Sequence, residues 1–162
     1  GGGKMILSEP QSLLTKAAKM PGLDGRKMSK SYNNTISLRE TEDDIMQKVK
    51  TMPTDPARVR LTDPGDPDKC PVWQFHEVYS DETIQNWVQE GCRSAGIGCL
   101  ECKKPVIDAV ITELQPIREK AEQLKASPGM VKSIIAEGSE KAREVARETL
   151  IDVRQAMGLN YR

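Results

Sequence analysis

The stretch PVIDAVITELQPIREKAEQL, residues 105–124, decides the fold class. Its apolar residues Ile107, Val110, Leu114, Ile117, Ala121 and Leu124 recur at intervals of 3, 4, 3, 4 and 3. That spacing lines one face of an α-helix and suits bundle packing, whereas a strand would alternate every second residue. Pro116 predicts a kink. Toward the C-terminus, Ser127-Pro128 opens a short helix with Val131, Ile134 and Ile135 that breaks at Gly138. Ser139 then caps a last helix carrying Val145, Ala146, Thr149, Leu150, Val153 and Met157. That helix interleaves Glu140, Glu144, Glu148 and Asp152 with Lys141, Arg143, Arg147 and Arg154, a solvated face laced with ion pairs. An RNA-facing use of Arg143 or Arg147 is the alternative.

Toward the N-terminus, Ser80-Asp81 caps a helix with Ile84, Trp87 and Val88 that ends near Gly91. Thr41 with Glu42-Asp43-Asp44 makes an N-cap and an acidic first turn, followed by Ile45, Val49 and Met52 at helical spacing and a stop at Pro53. Proline and glycine punctuate residues 53–67 so densely that this passage reads as loop, and His76 and Trp73 beyond it read as packing residues. The prediction is a mainly α fold.

Composition agrees. Aromatic residues make up 4% and charged residues 30% of the 162, which suits helices and not a β-sandwich. No apolar run is long enough to cross a bilayer and none forms a secretory leader, so a cytoplasmic location is expected. Formal net charge is zero, which argues against a uniformly basic nucleic-acid sleeve, yet it is unevenly spread: residues 1–36 carry +4 and residues 37–162 carry −4. Met5-Ile6-Leu7 suggests one strand whose sheet must come from elsewhere, and Ser8–Leu14 a turn and short helical segment. The three leading glycines resemble a linker.

Four cysteines, Cys70, Cys92, Cys99 and Cys102, fall in one 33-residue window with spacing C-x21-C-x6-C-x2-C. Glycines and prolines surround them, so they read as loop residues able to wrap an ion. Disulfides are disfavoured in a reducing compartment, and no βαβ pattern surrounds Cys99 and Cys102 to make a thioredoxin-like pair, which points to a metal. Structural zinc prefers two close pairs, and iron–sulfur clusters accept wider spacing around one Cys-x2-Cys. The spacing favours iron–sulfur, with zinc or an empty reduced site as the alternatives.

The cation excess sits at Pro21-Gly22-Leu23-Asp24-Gly25-Arg26-Lys27-Met28-Ser29-Lys30-Ser31. Glycines allow positive φ, lysines bring flexible charge, and hydroxyls with free N–H groups complete a phosphate cradle. Charge and glycine content alone would also fit a solvated basic loop. The exact string Lys27-Met28-Ser29-Lys30-Ser31, however, resembles the second signature of class I aminoacyl-tRNA synthetases, and the longer string resembles their tryptophanyl branch in bacteria.

That resemblance implies a good deal more. Lys27 and Lys30 would be the catalytic phosphate ligands, with Met28, Ser29 and Ser31 lining ATP, and Mg would accompany the nucleotide. A loop hinged at Gly22 and Gly25 would close on pyrophosphate as charge grows there. Residues 1–38 would be the tail of a Rossmann-like catalytic domain, and residues 39–162 a helical domain that reads the anticodon of tRNA(Trp). The parent would activate tryptophan with ATP and pair as a homodimer through its catalytic domain. Some bacterial members hold a [4Fe–4S] cluster on four similarly placed cysteines, with a first interval one residue longer. Arg93, Lys103 and Lys104, flanking the cysteines, become candidates for RNA contact.

The family's first signature carries paired histidines, and this chain has only His76. The chain thus resembles the C-terminal part of such an enzyme and should be inactive by itself. Two other readings stay open: a stand-alone metal-stabilised helical module that binds RNA or protein, and the same part of a tyrosyl-tRNA synthetase.

Overall fold

The protein is described by a computed structural model over residues 5–15 and 18–159. Among the described residues five α-helices follow one another: α1 (Glu42–Lys50), α2 (Pro71–Tyr79), α3 (Glu82–Arg93), α4 (Cys99–Lys125) and α5 (Pro128–Ala156). Short 3-10 turns stand at Lys30–Tyr32 and Pro67–Lys69. The mainly α expectation holds.

Contacts divide the chain into two units. The larger runs from Leu14 to Ala121. Its core is built by α1 (Ile45, Val49), Met52 just beyond it, α2 (Val72, Phe75) and the first part of α4 (Val106, Ile107, Val110, Leu114), all buried. Met20, Leu23, Met28 and Ile36 pack against the same core, so the lysine loop is seated on the helices and does not hang free. The smaller unit joins the described residues among 1–13 and 122–162, and α5, which it contains, has no buried residue.

Local chemistry explains most boundaries. Thr41 caps α1 by accepting from the Asp44 N–H at 3.1 Å, and Asp81 caps α3 by accepting from Ile84 N–H at 2.9 Å. Both caps match the reading of the sequence. Helix α2 was not foreseen, although Pro71 stands at its first position, where a missing N–H costs nothing. Helix α3 runs to Arg93, not Gly91, and α4 starts at Cys99, nearly two turns before Pro105. The cysteines therefore occupy helix ends: Cys70 precedes α2, Cys92 lies in the last turn of α3, and Cys99 and Cys102 lie in the first turn of α4.

The expected break at Gly138 is absent, and Pro128–Ala156 is one helix. A single glycine in a helix costs only about 1 kcal/mol against alanine, and the strong formers on either side carry the helix through it. The strand expected at Met5-Ile6-Leu7 and the helical segment expected at Ser8–Leu14 are also not found. Met5, Leu7, Leu13 and Leu14 are exposed, and among the described residues there is no neighbouring strand to form a ladder with them. The leading glycines lie outside the described residues.

Candidate functional site

Two places in the larger unit gather chemistry-bearing residues: the lysine loop and the cysteine cavity. The loop is a hairpin closed by backbone bonds, Met28 N–H to the Met20 carbonyl at 2.9 Å and Gly22 N–H to the Arg26 carbonyl at 2.6 Å, with Pro21 and Lys27 paired antiparallel. Gly25 takes φ +80° at its tip, a conformation that favours glycine. Gly22 serves differently: a Cβ there would stand 2.2 Å from Asn34 Nδ2, so this glycine provides room.

Asn34, 2% exposed, is the centre of the hairpin. Its Nδ2 donates to Asp24 Oδ1 at 2.6 Å and to the Lys27 carbonyl at 3.2 Å, while its Oδ1 accepts from the Ser29 N–H at 2.8 Å. The amide orientation follows from chemistry, because a backbone N–H can only donate and carbonyl and carboxylate oxygens can only accept. Asp24 in turn binds Arg26 through a backbone N–H at 3.0 Å and the guanidinium at 2.6 Å. The Asn34 bond is the main cause that holds the Asp24 carboxyl down at about 2, with Arg26 assisting. Arg26 also lies over the Tyr32 ring at 4.3 Å.

Past this brace the chain turns into Lys30–Tyr32, ended by Asn33 in the left-handed region at φ 52°. Lys27 and Lys30 are exposed, whereas Met28 and Ser29 are half-buried. The Ser29 and Ser31 hydroxyls lie 2.9 Å apart. The five residues expected to meet nucleotide thus sit together on one surface turn, with both ammonium groups outward and Met28 rooted in the core. Asn34 is not singled out by the sequence. Its distance from the signature, five residues beyond Ser29, gave no local sign that it folds back beneath it.

Elsewhere in the same unit, Cys70, Cys92, Cys99 and Cys102 line one cavity with Thr54, Asp55, Arg58 and Val72. All four are free and partly buried. Among the described residues no three His, Cys, Asp or Glu side chains form a ready ligand group for a metal ion. The expected iron–sulfur or zinc centre therefore has the shared cavity behind it and no preformed coordination sphere. Burial pushes the Cys102 thiol up to about 12 and raises Cys92 as well, so at neutral pH they stay thiols unless a bound cation displaces the protons.

Arg58, whose place here the sequence did not suggest, and His76, read there as a packing residue, stand beside this cavity. Arg58 reaches Cys92 Sγ at 4.0 Å and donates to the carbonyls of Leu61 at 3.0 Å and Ile97 at 2.6 Å, placing a cation beside the thiols. His76 is fully buried, with Nε2 at 3.1 Å from the Cys102 carbonyl and 3.4 Å from its Sγ. A carbonyl only accepts, so Nε2 carries the proton and Nδ1 accepts from the Ser80 hydroxyl at 2.8 Å. Burial lowers the His76 pKa and keeps the ring neutral.

The three candidates for RNA contact fare differently. Lys104 is exposed. Arg93 is exposed but engaged with Asp68 at 3.2 Å, Asp66 at 3.5 Å and Gln89 at 3.1 Å. Lys103 corrects the expectation: it is 3% exposed, and its Nζ donates to the Lys50 and Met52 carbonyls at 2.7 Å each. These carbonyls close the end of α1, so Lys103 staples α4 to α1 and turns no charge toward solvent. No helix among the described residues is long and apolar enough to cross a membrane.

Comparison with known proteins agrees with the loop. A family model described as class I tRNA synthetases (W and Y) matches residues 2–115. The chain is 61% identical over 161 residues to a tryptophan–tRNA ligase of Ralstonia nicotianae, covering 99% of this chain and 40% of that protein. It is 45% identical over 157 residues to the Thermotoga maritima tryptophan–tRNA ligase, covering 96% of this chain and 48% of that one. A crystal structure of tryptophanyl-tRNA synthetase from Campylobacter jejuni complexed with ADP and tryptophan superposes with a TM-score of 0.76 at 30% identity, over 95% of this chain and 48% of that one. The chain spans 40 to 48% of the length of these relatives.

Proposed function

The chain belongs to the class I tRNA synthetases of the tryptophan and tyrosine group, and on that premise we propose that it is the C-terminal part of a tryptophan–tRNA ligase. The observation that carries the reading is the loop Lys27–Ser31, which holds the family's signature and turns two lysines outward from a hairpin anchored on the core.

The whole enzyme would join tryptophan to ATP and then to tRNA(Trp). The tryptophan carboxylate attacks the α-phosphate, the bond to the bridging oxygen breaks, and pyrophosphate leaves with the growing charge. Lys30, with Lys27 beside it, meets that charge more strongly in the transition state than in bound ATP, so it lowers the barrier and does not merely tighten binding. Met28 and Ser29 flank the nucleotide, Ser31 adds a hydroxyl, and Mg accompanies the phosphates. Residues 1–38 complete the catalytic domain, whose remainder carries the first signature and the amino-acid pocket. The present stretch alone is inactive in this reading.

Residues 39–162 bind the anticodon, with Lys104 and, once freed from its carboxylates, Arg93 against phosphates. Four thiols around one cavity, with a guanidinium beside Cys92, suit an iron–sulfur cluster as a donor set, and zinc is the alternative. Cys70, Cys92, Cys99 and Cys102 would hold it. Its use would be to tie α2, α3 and α4 together. The parent pairs as a homodimer through the catalytic domain and works in the cytoplasm.

The tyrosyl branch shares the matched family model, but the relatives at 61% and 45% identity carry tryptophan in their names. The experiment is aminoacylation by the full-length protein, with tryptophan and with tyrosine on bulk tRNA. Charging with tryptophan alone supports the proposal, and charging with tyrosine, or with neither, overturns it.

A further inference from the structure

We propose that Asn34 is the positioning residue of the lysine loop, acting through Asp24, Lys27 and Ser29 to fix where the two ammonium groups stand. The proposal rests on the phosphate role given above to Lys27 and Lys30 and extends it to a side chain outside the signature.

Geometry carries it. One buried amide satisfies three partners at once, each at a different point of the hairpin: Asp24 near the tip, the carbonyl of Lys27, and the N–H of Ser29. The last two bracket Met28, so the backbone on either side of the signature's second residue is held by the same planar group. Gly22 lies against that group so closely that any side chain there would collide with it. The hairpin is therefore built around the amide, and Leu23 N–H adds a bond to the Asn34 carbonyl at 2.9 Å. Among the bonds described, Asn34 meets the main-chain carbonyl of Lys27 and neither of the two ammonium groups. Its effect on them comes through the main chain at Lys27 and through the turn that starts after Ser29.

A group placed this way governs orientation, and misplacing a catalytic charge by about 1 Å can lower turnover by about 100-fold. Asn34→Asp tests it sharply. It sets a second carboxylate against Asp24 at the present 2.6 Å contact and leaves the Lys27 carbonyl without a donor. The reciprocal pair, Asp24→Asn with Asn34→Asp, restores an amide–carboxylate bond with donor and acceptor exchanged and keeps an acceptor for Ser29 N–H. A residue that only stabilised the fold would not distinguish turnover from nucleotide affinity.

The experiment is tryptophan-dependent ATP–pyrophosphate exchange by the full-length ligase, with melting temperature followed in parallel. Variants are Asn34→Asp, the reciprocal pair and Lys30→Ala. Asn34→Asp should lower kcat by about 100-fold while the KM for ATP moves less than about threefold, and the reciprocal pair should recover at least about tenfold of that loss. If Asn34→Asp does not yield folded protein, Asn34→Gln, which keeps the amide but shifts it by one methylene, is read in its place with the same expectation. A crippled Lys30→Ala beside an Asn34 variant within twofold of the parent, or an Asn34 loss with no recovery in the pair, overturns the role of Asn34 alone. Lys30→Ala within twofold of the parent overturns the phosphate role of the loop, and the proposal with it.

Discussion

Asn34 Nδ2 stands 2.6 Å from Asp24 Oδ1, and this bond joins the tip of the lysine loop to its base across ten residues of sequence. It also sets the loop's acid behaviour. The Asp24 carboxyl is lowered from an ordinary 3.8 to about 2, first by Asn34 and then by Arg26. A carboxyl whose pKa falls on folding binds protons more readily when unfolded. Its contribution to stability is therefore present above about pH 4 and is lost as the pH falls through about 2. A carboxyl-detected NMR titration should show Asp24 ionised down to that region. In Asn34→Ala its midpoint should rise toward 3.8, and an unmoved midpoint would assign the shift to Arg26 instead.

Lys103 should behave as a structural residue. Replacing it with Met leaves the Lys50 and Met52 carbonyls without their donor, which costs about 1–3 kcal/mol for a buried unsatisfied acceptor. Chemical denaturation would measure the loss. The salt dependence of tRNA binding should stay as it was in Lys103→Met and become shallower in Lys104→Ala, the neighbouring side chain that is exposed.

The core makes a simpler demand. Phe75 is fully buried in the core cluster that also holds α1 and α4 residues, so Phe75→Ala should destabilise by about 3–5 kcal/mol. A change under about 1 kcal/mol on denaturant unfolding would show that the packing described for α2 is wrong.

For the cysteine cavity the measurement is metal analysis with a visible spectrum on protein purified without oxygen. The proposal predicts brown protein with iron and sulfide bound, lost on Cys99→Ser. One zinc per chain and no colour would keep the four ligands and replace the cluster. Protein without either would reduce Cys70, Cys92, Cys99 and Cys102 to packing.

What could be read in the sequence followed physical locality. The caps at Thr41 and Asp81 were legible because cap and partner lie within three residues. The seam Ile107, Val110 and Leu114 was legible because burial repeats with the helical turn. Helix α2 was hidden in a proline-rich neighbourhood, although Pro71 with Val72, Phe75 and Tyr79 carried the signal. Gly138 misled because a local breaker was weighed without the strong helix formers around it.

The site divides the same way. Lys27, Met28, Ser29, Lys30 and Ser31 stood in one string and were found by it. Asn34, Arg58 and His76 act across turns or between helices, and only the fold brings them to their partners. Lys103 was misplaced for the converse reason, since a lysine next to a cysteine looks exposed until the end of α1 is set beside it.

The most direct test of the account is the rate of tryptophan-dependent ATP–pyrophosphate exchange in the full-length protein with Lys30→Ala. The account predicts a fall of about 10²–10³-fold in kcat, the usual consequence of removing one transition-state donor, with a smaller change in the KM for ATP. Exchange within twofold of the unsubstituted protein would contradict it.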